Sequence, residues 1–508
     1  MKMIAPKGYV LVTSGRPNLN TGWNHQERVR DFGMFLAKNV QVKEAEAGDV
    51  LVRVVFRPKG AECANLLSTT AVDVINFYRK RFGFFPYRGM TIIPGGANPV
   101  GGYPVSSAIV AIHGEETFDP KADNTHWRWI TAHELGHQYW TEYVLSADPG
   151  SWGWLEIGLG LYADREYSRS HGIDHQHRDM MNGYIEGVRQ GYDTTAGRTP
   201  DQFHALEWDY GNIVVHDKGL SIISALATVI GPLAFNRAYV RALREFAGRP
   251  MNPDDFEKIC EQESKQDLHW FFDQWVRSDR FLSYQIVSQD CRREAGNYRC
   301  EVKVKCLGTL RMPVPVRAEF EDGTQQTQFT DQWADVSILK FRTKSPIKST
   351  RLDPEDHLAL VIPPPTITHA ALSRAIGRLG VIGSEAQAHD LFLQANDMAG
   401  VSQWDWLNLG LALYQEGSYA EALEALRRGE QTANGGPGML KFACIAWQGA
   451  IMDLQNRRDE ALERYRLSLE LLKPNPWLKV KVDKFGVLID LQWIQDRIKT
   501  PFERKSRP

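Results

Sequence analysis

No run in this chain approaches the roughly eighteen consecutive apolar residues that a membrane-spanning helix needs, so a span is not expected. Charge of one sign is missing too. The balance of 60 Lys and Arg against 62 Asp and Glu leaves a net −2, which gives no footing for nucleic acid or an anionic bilayer. Cysteine is scarce, with six residues (Cys63, Cys260, Cys291, Cys300, Cys306, Cys444) and no C-x-x-C pair. That excludes a cysteine metal knuckle and a disulfide-dense scaffold, and leaves scattered free thiols in a reducing compartment as the expectation. The exception is Cys291 and Cys300, which flank the turn Glu294-Ala295-Gly296-Asn297 and could face each other across a hairpin. The first residues, Met1 to Pro6, lack the apolar core of a secretory leader, so a cytoplasmic location is expected.

What is present is ordinary in bulk. The chain is 43% hydrophobic and 24% charged, and its 508 residues are too many for one core. The informative stretch is His133-Glu134-Leu135-Gly136-His137, followed after eighteen residues by Glu156. The flanking run 127–144 has no Pro and one Gly and reads as a helix. Residues i and i+4 lie one turn apart on one face, so His133 and His137 can aim at one point. Two imidazoles and a carboxylate suit one Zn²⁺ ion, with a fourth position left for water. Glu134, beside the first histidine, is placed to take that water's proton. Two incidental histidines on a helix would be the bland alternative. Chance gives H-E-x-x-H in a chain of this composition on the order of two times in a hundred, and the later glutamate cuts that to about one in a thousand.

In chain order, residues 1–45 read as strand pieces (9–13 and 35–42) around a turn at Gly15-Arg16-Pro17-Asn18, too short for a domain of their own. A strand at 51–56, a helix at 71–82 ending at Gly83, and strands at 90–93 and 108–112 around a Gly/Pro-rich loop at 95–104 suggest a small sheet beside a helical body. A second metal helix starts near Ser151. Glu156, Gly160 and Ala163 share a face there, and Gly158 and Gly160 favour a close approach to a neighbour. Residues 174–192 and 213–277 are mostly helical. From 282 the pattern alternates, giving a small antiparallel sandwich that ends at Pro363-Pro364-Pro365, a stiff linker. Beyond it Trp406, Leu409, Gly410, Ala422 and Leu426 match a tetratricopeptide-like spacing, and Ile445, Gly449, Ala461 and Tyr465 repeat it 39 residues later. A long inter-repeat loop at 432–438, a degenerate first unit at 371–399 and a capping helix at 477–498 complete that array.

The run Thr131 to Trp140 together with Glu156 resembles the aminopeptidase N family of zinc metallopeptidases, the gluzincins. Asp31-Phe32-Gly33 looks like the end of that family's N-terminal β-domain, Val215-His216-Asp217-Lys218-Gly219 like its Tyr-x-Lys-Gly helix start, and 283–363 like its β-sandwich. The resemblance covers roughly 5–363. It implies a multidomain α+β chain: 1–45 a remnant of the β-domain, 46–278 a thermolysin-like catalytic domain, 279–363 a β-sandwich and 366–508 α-helical repeats. It also implies His133, His137 and Glu156 as ligands of one zinc ion and Glu134 as the base. Three departures stand out. Most of the N-terminal β-domain has no counterpart. The family's Gly-x-Met-Glu-Asn strand is matched only by Gly101-Gly102-Tyr103-Pro104, and no Asp or Glu occurs from Ile75 to Gly114, so the glutamate that grips a free α-amine has no equivalent. The oxyanion tyrosine falls on His216, whose N–H can also donate; Tyr210 lies six residues upstream.

Two functions follow as expectations. One is a zinc peptidase, aminopeptidase-like, with an extended peptide lying along Gly101, Gly102 and Tyr103 and with His216 at the oxyanion. The other is a weakened or inactive zinc-binding scaffold that binds peptides in its cleft or a protein partner on the repeats. The repeats read equally as a cap over the cleft.

Overall fold

The computed structural model describes residues 4–18, 21, 23–94, 102–112, 124–147, 149–189, 194–197, 210–362, 372, 375–377, 379–380, 388–398, 401–432, 440–473, 476, 479–482 and 485–504. The first strands are short: β1 (Val10–Thr13), β2 (Arg16–Pro17), β3 (Asn24–His25) and β4 (Met34–Ala37), with β1 pairing β4 and β2 pairing β3. The strand expected at 35–42 is broken. Asn39 takes φ +57°, a conformation Asn tolerates, and the chain restarts as β5 (Gln41–Ala47). β5 pairs along its whole length with β6 (Val50–Phe56), so the central sheet begins at Gln41, on the N-terminal side of the expected 45/46 boundary.

That sheet runs β5-β6-β7-β9-β8, with β7 at Gly89–Pro94, β8 at Gly102–Ser106 and β9 at Ile109–Ile112. β6, β7 and β9 are parallel; β5 and β8 are antiparallel edges. A parallel β6–β7 pair needs a crossover, supplied by α1 (Ala61–Phe82). This helix starts ten residues before the expected Ala71 and stops at Gly83, whose φ of +89° lets its N–H reach the Arg79 carbonyl at 2.9 Å. The expected loop 95–104 is in part strand: β8 occupies 102–106, while 95–101, including Gly101, lies outside the described residues.

The helical body follows: α2 (Asn124–His137), α3 (Pro149–Ser170), α4 (His175–Arg189), a π-helical turn at Tyr210–Lys218, α5 (Gly219–Ile230), α6 (Pro232–Glu245), α7 (Pro253–Ser264) and α8 (His269–Trp275). α2 ends at His137, seven residues short of the expected 144. Thr141 turns the chain at φ +87°, Val144 donates back to the Tyr139 carbonyl at 2.9 Å, and Trp140 bridges Val144. Two short strands, β10 (Leu145–Ser146) and β11 (Pro250–Met251), then pair in parallel. Among the described residues, Ile213–Ile230 is the one stretch long and apolar enough to cross a bilayer; it is 67% buried, and Leu220, Ile222, Ile223 and Leu226 sit in the central core.

Next come six antiparallel strands, β12 (Tyr284–Glu294), β13 (Asn297–Cys306), β14 (Pro315–Phe320), β15 (Gln325–Phe329), β16 (Val336–Thr343) and β17 (Ile347–Leu352), in two sheets ordered β12-β13-β16 and β15-β14-β17. The expected sandwich is present. Val302, Val304 and Phe341 of one sheet and Val316, Ala318 and Phe320 of the other share the core of the helical body. The β12–β13 turn uses Ala295 (φ +49°) and Gly296 (φ +84°), as a two-residue hairpin requires. Its register puts Cys291 opposite Cys300, and the two are disulfide-bonded. The pair held out from the sequence as the exception thus faces across the hairpin and is bonded, where free thiols were the general expectation; Cys63, Cys260, Cys306 and Cys444 are free. In protein unfolded without reductant, four cysteines should alkylate and two more only after reduction, read by mass; six reacting at once would contradict the pairing.

The C-terminal helices are α9 (Ala388–Asn396), α10 (Gln403–Glu416), α11 (Tyr419–Gln431), α12 (Lys441–Leu454), α13 (Arg458–Leu472) and α14 (Leu491–Lys499), with the hairpin β18 (Val480–Val482) and β19 (Val487–Ile489) before the last. They bury a separate core. Gly410 takes the Leu426 side chain, and Gly449 takes the Tyr465 ring at the equivalent place 39 residues on. Two like helix pairs therefore stack. The expected capping helix at 477–498 is instead a hairpin followed by a nine-residue helix. The linker Pro363-Pro364-Pro365, residues 433–438 of the inter-repeat loop and most of 371–387 lie outside the described residues.

Candidate active site

Four elements meet around the H-E-x-x-H sequence. α2 is held by the Tyr78 hydroxyl of α1, which donates to the Ala132 carbonyl at 2.9 Å. One turn apart on α2, His133 and His137 bring their Nε2 atoms to 3.1 Å. His133 Nδ1–H donates to Asp164 Oδ2 at 2.7 Å; a carboxylate accepts only, so Nδ1 carries a proton, and in the neutral ring Nε2 keeps the lone pair. Trp129 stacks on the His133 ring, 5.5 Å between centroids. Burial works against charge on His133, but Asp164 outweighs it and lifts its pKa. Burial, with His133 and His216 nearby, holds His137 well below the ordinary imidazole range and hence neutral.

Glu134 is fully buried, and neither carboxylate oxygen has a hydrogen-bond partner. Burial pushes its pKa up to about 8, against the pull of His133 and with help from Asp164. The carboxylate rests on β8: a Cβ at Gly102 would stand 2.6 Å from Glu134 Oε1, so only glycine leaves room there. Among the described residues β8 is an edge strand with no strand paired on its outer side, and Tyr103 on it is 41% exposed.

The hairpin that carries β8 is tied down by residues from the N-terminal strand pieces. Ser14 Oγ donates to the Ser107 carbonyl at 2.6 Å, Ser107 N–H to Asp31 at 3.1 Å and Ser107 Oγ to Glu142 at 3.0 Å. Gln138 accepts from Ala108 N–H at 2.7 Å, and Arg30 pairs with Glu142 at 2.9 Å. The segment before residue 45 thus clamps the strand beside Glu134 to the chain that leaves α2.

α3 lies against α2 where both have glycine. A Cβ at Gly136 would stand 3.1 Å from the Gly160 carbonyl, and one at Gly160 would stand 3.2 Å from His137 Nδ1. Glu156 is buried, Oε1 has no hydrogen-bond partner, and burial pushes the carboxyl up to about 7. Among the described residues no three His, Cys, Asp or Glu side chains stand together as a metal ligand set, and the charges acting on His137 are those of His133, His216 and Asp164. With about 100° between successive residues, Asp164 falls about 40° to one side of Gly160 and Glu156 about 40° to the other. The half-buried Ile157, about 60° round, takes the Asp164 side of that turn.

His216 is half-buried on the π-helical turn and reaches the site through its effect on His137. Lys218 beside it is a structural anchor, buried and donating to the Thr194 and Ser278 carbonyls at 2.6 and 3.0 Å. The Tyr210 side chain, like Gly101, lies outside the described residues. Sequence reasoning missed Asp164 and His177, which pair with each other in the interior. Asp164 was reachable from the sequence, one turn beyond Gly160 on the glycine stripe; His177, across the turn at Gly172, carried no signal.

The model of the peptidase family M1 domain matches residues 98–275. Among solved structures the chain is similar to Legionella pneumophila aminopeptidase A in complex with aspartic acid, at 12% identity and a TM-score of 0.52, over 92% of this chain and 63% of that one. The chain thus spans about 63% of that aminopeptidase's length. No curated protein matches the sequence. The stretch that matches the peptidase family M1 domain is the one that gathers His133, Glu134, His137, Asp164 and His216, and the fold around it is similar to that of a multidomain aminopeptidase.

Proposed function

We propose that the chain hydrolyses peptide bonds in a zinc-dependent reaction, with Glu134 as general base. The observation that carries this is a fully buried carboxylate with both oxygens unpartnered, packed against Gly102 of the edge strand β8 and next in sequence to the first of two imidazoles whose Nε2 atoms stand 3.1 Å apart. His133, His137 and Glu156 would hold one zinc ion, which when bound supplies Lewis-acid activation of a water and of the scissile carbonyl. The fit rests on donor chemistry: an imidazole with its lone pair fixed outward by Asp164, a second neutral imidazole, and a buried carboxylate oxygen on the neighbouring helix that no hydrogen bond satisfies.

Glu134 accepts a proton from the attacking water and returns it to the leaving amine nitrogen as the C–N bond breaks. The backbone of β8 at Gly102 and Tyr103 receives an extended peptide as an added strand. His216 donates to the carbonyl oxygen as it gains charge. An aminopeptidase-like preference is part of this reading, although β8 carries no acid to hold a free amine. The helix pairs of 403–472 are the proposed seat of any protein partner.

A second reading, a peptide-binding scaffold without turnover, is favoured by one observation: among the described residues no three His, Cys, Asp or Glu side chains are grouped as a metal ligand set. The two readings separate on protein stripped with chelator and reloaded with Zn²⁺, assayed on amino-acid arylamides and on N-blocked peptides. Zinc-dependent hydrolysis of either supports the peptidase; arylamide cleavage alone makes it an exopeptidase and blocked-peptide cleavage alone an endopeptidase. Zinc bound with neither substrate cleaved supports the scaffold.

A further inference from the structure

Asp164 is fully buried, and each of its two oxygens is taken by a different histidine. Oδ2 accepts from His133 Nδ1 at 2.7 Å, and Oδ1 accepts from His177 Nε2. His177 sits in the first turn of α4, on the far side of the Gly172 turn from α3, and is 1% exposed. Its other nitrogen, Nδ1, is buried without a hydrogen-bond partner, so the ring has one polar contact and spends it on Asp164. A histidine that only filled core space would not need to face a carboxylate with its one satisfied nitrogen.

We propose that His177 is a positioning residue for the catalytic centre, acting through Asp164 to fix the tautomer and ring orientation of His133. This rests on the peptidase reading above. A carboxylate held at one oxygen alone can turn about its Cβ–Cγ bond. Held at both, with its helix locked against α2 at Gly160, it presents Oδ2 in one direction. His133 then carries its proton on Nδ1 and points a lone pair from Nε2 at the space it shares with His137. Without His177, Oδ1 loses its donor, the carboxylate is released, and the His133 ring loses its guide. The chain from α4 through α3 to α2 thus sets the direction of a single lone pair.

The experiment compares wild type, His177→Phe, which keeps ring volume without a donor, and His177→Gln, which keeps an N–H near the position of Nε2. Two quantities are read: Zn²⁺ affinity by competition with a chromophoric chelator, and the His133 tautomer by ¹⁵N NMR on metal-free protein. His177→Phe should lower Zn²⁺ affinity about 10- to 100-fold and lose the pure Nδ1–H signature, while His177→Gln stays within about threefold of wild type. Wild-type affinity in His177→Phe, equal losses in both variants, or an Nε2–H signature for His133 in the wild type would each overturn the proposal. If the wild type binds no Zn²⁺, the peptidase reading fails, and the tautomer measurement still decides this one. Should His177→Phe not fold, the wild-type spectrum and the His177→Gln affinity remain as tests.

Discussion

Glu134→Gln is expected to lower kcat by about 10²- to 10⁴-fold, the range for loss of a general base, while the protein stays folded and keeps its metal. The stability half of that expectation comes from burial. The site raises the Glu134 carboxyl to about 8 because it disfavours the charged form, and neither oxygen has a partner to lose. A neutral amide of the same shape removes that strain, so the melting temperature should hold or rise. Two new N–H groups must find acceptors, at a cost of about 1–3 kcal/mol if they do not, which opposes but does not reverse the relief. Gln cannot take a proton from water, so turnover falls although binding survives. Steady-state kinetics, metal content and a thermal melt on one preparation check this; hydrolysis at the wild-type rate would remove Glu134 from the mechanism.

The largest stability effect is expected at the crossing of α3 and α5. A Cβ at Gly158 would stand 2.6 Å from the Gly219 carbonyl oxygen, and one at Gly219 would stand 2.8 Å from the Trp154 carbonyl oxygen. Both clashes are with backbone, which cannot swing aside. Ala in place of a helical Gly ordinarily gains about 1 kcal/mol, whereas overpacking costs about 1–3 kcal/mol and sometimes more. Gly158→Ala should therefore be destabilising despite the better helix former. Gly158→Val should lose more than about 3 kcal/mol, at about 2–4 °C in Tm per kcal/mol for a domain of this size. Gly377, exposed, helical and with no atom within 4 Å of an added Cβ, is the control, and Gly377→Ala should be neutral or stabilising. Calorimetry on the three variants decides it; an unchanged melt for Gly158→Val would mean that the helices are not in this contact.

How far the sequence alone reached depended on whether the signal was local. Helical spacing paired His133 with His137, and the glycines at 158 and 160 announced close packing; the structure divides them, Gly160 toward α2 and Gly158 toward α5. Alternation announced the sandwich, and a 39-residue period announced the two helix pairs. Elements failed where the deciding contact was distant. The end of α2 depends on the Trp140–Val144 bridge, not on a breaker residue. The clamp from Ser14, Arg30 and Asp31 onto the β8–β9 turn joins residues more than seventy apart, and nothing in a strand pattern points to it. Glu156 is the instructive case. The eighteen-residue gap places it, buried, on the helix that packs against α2 at Gly160 and one turn before that glycine, whereas the contact this helix makes to His133 comes from Asp164, which the motif does not include.

The account therefore stands or falls on where a metal ion sits and what touches it. Crystals grown with Zn²⁺ and measured at the zinc absorption edge would answer this directly through the anomalous difference map. The expected result is a single strong peak bonded to His133 Nε2, His137 Nε2 and the Glu156 carboxylate, with Glu134 close by and not bonded to it. No peak between the two imidazoles, or a peak there to which Glu156 is not bonded, would contradict the zinc-peptidase account and leave the scaffold reading in its place.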